Sequence, residues 1–332
     1  MKAAARGWML RVLFRTNNIW LPTALAEIQE LTESARAYAY QWLRGYHEVL
    51  AALEYLSYRS HQDDIDPDLI VKALATDSLL MSATYNTMAI HGLENLLNKL
   101  EISGAAPAKL AALEWRYFQL PQHFRQPRAF FVWLRKHPEK FVELIGLMFR
   151  AASDTPRSED DPEETVDCAA AYHSRTAYFV LREWRTPPGT GPDGKIDGAE
   201  LGAWVKQARE LLVESDRVEI GDECLGQLLS GSTNGYDGIW PAEPIRDLLE
   251  EASNQHLAAG LAMSRFNSRS ATRSPSDGGA QERALFQQYE DWAAKVSPER
   301  PATGRLLREL TRMYEEWAAR QVSMWEQWRD ER

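Results

Sequence analysis

The sequence predicts an all-α protein, and three observations carry that prediction. Apolar residues recur at three- and four-residue intervals from one end of the chain to the other, the period of helices with one buried face. Prolines stand at the starts of these runs, where a missing amide costs a helix nothing. The runs succeed one another through short turns, as helix pairs do. No fixed-period repeat is present, so the expected architecture is an irregular array of helix pairs, an α-solenoid or a multi-helix bundle, closed by a long C-terminal helical hairpin.

Taken in order, Tyr46, Val49, Leu50, Leu53 and Leu56 form one helical stripe. Asp66 and Pro67 supply an N-cap and a first-turn proline for a helix carrying Leu69, Ile70, Ala73 and Leu74. A longer helix with Tyr85, Ala89, Leu93, Leu96, Leu97 and Leu100 on one side ends at Ser103 and Gly104. Pro107 opens the next, with Leu110, Leu113 and Tyr117. Pro127 starts an aromatic helix through Phe130, Phe131, Trp133 and Leu134, and Pro138 starts another bearing Phe141, Leu144, Ile145 and Met148.

The segment 153–167 holds seven acidic residues' worth of charge in Asp154, Glu159, Asp160, Asp161, Glu163, Glu164 and Asp167, against the single base Arg157, with Pro156 and Pro162. It reads as an acidic linker or loop between an N-terminal helical region, 1–152, and a C-terminal one, 168–332. Within the latter, helices are expected near 165–184, 199–214, 221–230 and 241–263, with a very short strand at Val218–Ile220. Ser, Arg and Gly enrich 264–279, which reads as a mobile loop. Leu285, Tyr289, Trp292 and Val296 mark the first helix of the closing hairpin. The second runs from about Arg305 with Leu306, Leu310, Met313, Trp317, Met324 and Trp328.

Composition narrows the function classes. The net charge is −10, which argues mildly against wrapping nucleic acid but leaves room for a local basic patch. Two cysteines, Cys168 and Cys224, make no disulfide framework. Arg11 and Arg15 interrupt the apolar run near the N-terminus, and no apolar stretch approaches the ~20 residues of a membrane span. The expectation is a cytoplasmic protein away from membranes. Twelve tryptophans either fill gaps between large helices or anchor partner surfaces.

Residues 189–200 match three motifs at once. Gly189 to Lys195 fits G-x-x-x-x-G-K, but Ile196 stands where a P-loop needs a hydroxyl and Pro192 removes an amide from the cradle. Gly189, Gly191 and Gly194 fit G-x-G-x-x-G without the βαβ unit that a dinucleotide requires. Asp193, Asp197 and Glu200 match the back half of a calcium loop and are the candidate metal ligands, although Gly189 and Gly191 occupy two positions that should carry oxygen ligands. A simpler reading accounts for the same residues: Asp193 and Gly194 make a turn, Asp197 caps the following helix, and Glu200 completes a capping box.

No histidine pair has metal-ligand spacing; His61 with Asp63 and Asp64 is the densest cluster and reads as a solvated helix start. Neither cysteine has a histidine neighbour, and Ser230-Gly231-Ser232 is not a nucleophile elbow. No cofactor is expected. The best binding candidates are Arg265, Phe266, Arg269 and Arg273, a basic loop with an aromatic, suited to phosphates and base stacking.

The stretches Glu183 to Thr190, Gly238 to Leu249 and Ser274 to Arg283 resemble, across 183–329, the C-terminal helical parts of large, poorly characterised bacterial proteins, some linked to mobile elements or phage defence. The resemblance implies a scaffold or sensor region beside an effector, and this chain as a subunit or fragment of such a complex. Together these features predict a non-enzymatic helical scaffold that binds a protein partner. The alternative is a nucleic-acid-associated subunit using 265–273.

Overall fold

A computed structural model of the chain describes residues 67–75, 87–119, 128–154, 168–252, 254–268 and 280–330. The fold is all-α, as the sequence predicts, and no strand occurs among these residues. The chain divides into two compact units, Met1–Trp133 and Leu134–Arg332. The stripe at 46–56, the His61 cluster and most of the acidic segment lie outside the described residues.

In the N-terminal unit, α1 (Pro67–Leu74), α2 (Thr87–Ile102) and α3 (Pro107–Arg116) pack around Ile70, Leu74, Leu93, Leu96, Leu97, Leu100, Leu110, Leu113 and Tyr117. The Tyr117 hydroxyl donates to the Leu74 carbonyl, satisfying an acceptor at the end of α1 that no intrahelical amide can reach. Helix α2 ends where Ser103 and Gly104 predict: the Ala105 amide donates back to Leu100 and the Gly104 amide to Glu101. The short aromatic helix α4 (Arg128–Leu134) stacks Phe130 against Trp115, Phe118, Phe131 and Trp133. Its Phe130 amide donates to the buried Glu114 carboxylate at 2.7 Å.

The C-terminal unit begins at Leu134, ahead of the acidic segment that composition marks as the boundary. The reason is that α5 (Pro138–Met148) packs on α6 (Cys168–Glu183) and α7 (Gly198–Glu214), with Phe141 lying between Trp184 and Trp204. Helix α8 (Val218–Leu229) follows directly, so Val218–Ile220 is helical rather than a strand. Two β-branched residues favoured the strand reading, but Gly221, Asp222 and Leu225 are buried one helical turn later and fix the 3.6 period. The expected helix 241–263 is two helices, α9 (Glu243–Ala252) and α10 (Gln255–Asn267), broken at Asn254, whose side chain caps α10 by accepting from His256 and Leu257. The closing hairpin is α11 (Ala280–Val296) and α12 (Pro301–Asp330), with α12 starting at Pro301 rather than Arg305. Glu250 of α9 caps it, accepting from the Ala302 and Thr303 amides and the Thr303 hydroxyl. Although burial opposes it, those bonds hold the Glu250 carboxyl below its ordinary range.

Two local devices set the spacing of this unit. Helices α8 and α10 cross with their backbones in contact: a β-carbon on Gly226 would fall on the Leu257 carbonyl and 2.7 Å from the Leu261 nitrogen. A β-carbon on Gly260 would meet the Glu223 carbonyl in turn, so each glycine opens the space for the other helix. Buried Asp222 ties the same corner, bonding Arg209 of α7 and Asn254.

The second device is Asp216, with φ +54°, between α7 and α8. The Arg217 amide donates to Leu212 and the Asp216 amide to Val213, the paired bonds of a left-handed helix stop where glycine is usual. Aspartate stands there because its carboxylate accepts from the Ser153 amide at 2.6 Å, pinning the segment after α5. Asp216→Ala, which keeps the backbone strain and loses that bond, should therefore lower the urea midpoint more than Asp216→Gly, which relieves the strain.

Candidate partner-docking site

Residues 189–197 form a small closed hairpin. Thr190 and Ile196 make an isolated antiparallel bridge, the Gly191 amide donates to Lys195 at 2.8 Å, and the Asp197 amide donates to Gly189 at 2.9 Å. Asp197 caps α7, its Oδ1 accepting from Ala199 at 2.8 Å and Glu200 at 3.0 Å. The capping reading is therefore right in its main part, but Glu200 does not complete a box, because Gly189 already takes the Asp197 amide. Asp193 turns onto the Lys195 amide. Asp193, Asp197 and Glu200 are thus not gathered, and among the described residues no group of three or more His, Cys, Asp or Glu side chains stands close enough to share a metal ion.

A second turn, 233–242, abuts this hairpin and is fastened from several directions. Arg246, 1% exposed, pairs bidentately with Asp237 at 2.6 and 2.7 Å. The same guanidinium donates to the Pro241 carbonyl at 2.6 Å and to the Ile239 carbonyl. Asn234 Nδ2 reaches the Gly238 carbonyl, the Gly235 amide reaches Ile239, and the Tyr236 amide donates to Glu243 at 2.8 Å. Beneath them Trp240 is fully buried and packs edge-on against Tyr289.

The result is a rigid tip carrying one large exposed side chain. Tyr236 is 82% exposed, with the Lys195 ammonium 5.2 Å from its ring centre. Lys195 is held above its usual range, first by its hydrogen bond to Tyr236 and then by neighbouring charge, including Asp193. Asp193 lies 3.7 Å from the Lys195 ammonium, so both signs of charge stand beside the ring.

Sequence reasoning passed over Tyr236, although a signal was present: Asn234-Gly235 and Asp237-Gly238 are both turn dipeptides, and the tyrosine stands between them. The tryptophans resolve the other way. Trp184, Trp204 and Trp240 are buried, and Trp115, Trp133, Trp292 and Trp317 half-buried, so those described fill the core rather than anchor a partner.

The basic loop also changes character. Helix α10 continues to Asn267, so Arg265 and Phe266 are helical and half-buried. The Arg265 guanidinium lies 4.9 Å from the Trp240 ring centre and its Nε donates to the Tyr289 hydroxyl at 2.9 Å. Phe266 packs against Tyr314 and Trp317. Both side chains thus make contacts within the fold; Arg269 and Arg273 lie outside the described residues.

Two grooves open on the C-terminal unit. One of about 370 Å³ is lined by Leu249, Asn254, Ala258, Arg305, Leu306 and Glu309, and one of about 550 Å³ by Phe149, Arg150, Asp216, Arg217, Glu219 and Glu223 among others. Hydrogen bonds from Arg312 and Ser153 hold the carboxyls of Glu309 and Asp216 below their ordinary range, away from the near-neutral values that acid–base catalysis favours. The Ser230 hydroxyl bonds Ser264 and the Gln227 carbonyl within the core. Burial, with the charge of Glu223, pushes the Cys224 thiol up to about 12. Iodoacetamide at mildly alkaline pH should leave Cys224 unmodified in the native protein and label it in urea, as peptide mass mapping would show. No protein-family model matches the chain, and no curated protein or solved structure matches it.

Proposed function

We propose that the chain is a non-enzymatic helical scaffold whose C-terminal unit docks a protein partner through the Tyr236 turn. The observation that carries this reading is an 82% exposed tyrosine on a turn fixed by Arg246, Asp237, Asn234 and Glu243. A tip ordered in advance spares a partner the entropy of ordering it, and tyrosine offers a large contact area with few rotatable bonds. The resemblance of 183–329 to helical parts of bacterial proteins linked to phage defence supports reading the chain as a subunit or fragment of such a complex.

A photo-crosslinking amino acid placed at position 236 tests this reading. It should trap one protein in the native host, whereas the same probe at Val213, which is 64% exposed, should trap none. Equal, unselective labelling from both positions would remove the Tyr236 turn from consideration.

A further inference from the structure

Helix α6 carries a second surface of different chemistry. Its Ala177, Val180 and Leu181 are buried, as is Trp184 just past its end, at the spacing of one helical face. On another face, Arg175, Tyr178, Phe179 and Arg182 follow at i, i+3, i+4 and i+7. Arg175 and Arg182 both lie against the Phe179 ring, with guanidinium carbons 5.6 and 4.9 Å from its centre. Arg182 also lies 5.8 Å from the ring centre of Tyr178, which is 50% exposed. Among the described residues no carboxylate pairs with Arg175, and Arg182 has only Glu183 at 3.8 Å.

Arg185 lies just past the end of α6, where its guanidinium donates to the Ser264 hydroxyl at 2.8 Å. Burial, followed by the charge of Arg182, lowers its affinity for a proton, so two guanidiniums are held within electrostatic reach of each other. A guanidinium resting on an aromatic face keeps its N–H edges free for bidentate contact with an oxyanion. The protein's net charge is no obstacle, since a field at the surface is set by groups within a Debye length, about 8 Å at physiological salt.

We propose that this face of α6 binds single-stranded nucleic acid, with Arg175 and Arg182 on phosphates and Tyr178 stacking on a base. Interleaved arginines and an exposed ring favour that ligand over an acidic peptide, which would use the cations and leave the ring idle. The site is separate from the Tyr236 turn and does not rest on it. It also differs from the basic loop, whose Arg265 and Phe266 rest on Trp240 and Tyr314.

Fluorescence anisotropy with labelled oligo(dT) and the full-length protein tests the assignment. Binding should weaken with salt, with a logarithmic slope of about −1.4 for two phosphate contacts. Combining Arg175→Ala with Arg182→Ala should weaken binding at least roughly tenfold and flatten the slope by about 1.4. Tyr178→Ala should weaken it by roughly five- to tenfold while leaving the slope unchanged, the signature of lost stacking. All three positions are on the surface of α6, and each variant's unfolding curve would be measured alongside. Absence of binding at low salt, affinity indifferent to the arginines, or equal competition by poly-glutamate would each overturn the proposal.

Discussion

Alanine at Gly226 or at Gly260 should lower the unfolding free energy by about 3 kcal/mol, the upper end of what overpacking costs. The added methyl meets main chain on the facing helix in both cases, the Leu257 carbonyl from Gly226 and the Glu223 carbonyl from Gly260. Backbone cannot turn aside as a side chain can, so α8 and α10 must separate. That movement would also open the corner where Asp222 bonds Asn254 and Arg209. Gly202, inside α7 with open space around it, is the control. Gly202→Ala should raise stability by roughly 0.5–1 kcal/mol through helix propensity alone. Urea unfolding of the three variants gives the comparison, and a mild effect at Gly226 would mean that the helices do not cross so closely.

Removal of Arg246 should be almost as damaging. Arg246→Ala leaves the Pro241 and Ile239 carbonyls without their donor in a buried site and deprives Asp237 of its partner, which should cost about 3 kcal/mol. Lysine should not rescue the protein, because one ammonium cannot reproduce a planar fork that serves a carboxylate and two carbonyls together. Limited proteolysis should then cut within 233–239, which the native protein protects.

The same pair gives a pH dependence. The hydrogen bonds from Arg246 lower the Asp237 carboxyl from 3.8 to about 2, outweighing its partial burial. A carboxyl with a depressed folded-state value stabilises the protein above its unfolded value and loses that contribution as pH falls through the folded one. Stability should therefore decline from about pH 4 towards pH 2. Arg246→Ala should show a shallower decline over that range, Glu250 contributing in the same direction in both proteins.

The elements legible in the sequence were those whose ends carry local chemistry. Pro107, Pro138 and the Ser103-Gly104 stop mark boundaries through rules that act within a few residues. The errors arose where a distant partner decides. Asn254 looks unremarkable inside an apolar run, yet it breaks the helix there, capping α10 and bonding Asp222, 32 residues away. Likewise, β-branching at Val218 and Ile220 spoke for a strand, but burial against other helices chose the helical period.

The candidate site was harder to read for the same reason. Arg265 and Phe266 carry the chemistry of a nucleic-acid contact, and only tertiary packing shows that Trp240, Tyr289, Tyr314 and Trp317 already occupy them. Asp197 was readable as a cap because its partners are two and three residues away. Tyr236 owes its prominence to Arg246, ten residues on, which fastens the turn beneath it through Asp237. No periodicity in the sequence marks a side chain that a folded turn holds out of the core.

Affinity capture from the native host, with wild-type and Tyr236→Ala baits, each with and without nuclease, tests the scaffold reading most directly. Wild-type bait should retain one stoichiometric protein that survives nuclease, and Tyr236→Ala, with an unchanged unfolding curve, should lose it. A central tyrosine is worth about 2 kcal/mol or more, roughly thirtyfold in affinity. Equal recovery by both baits, or a partner released by nuclease, would contradict docking of a protein through the Tyr236 turn.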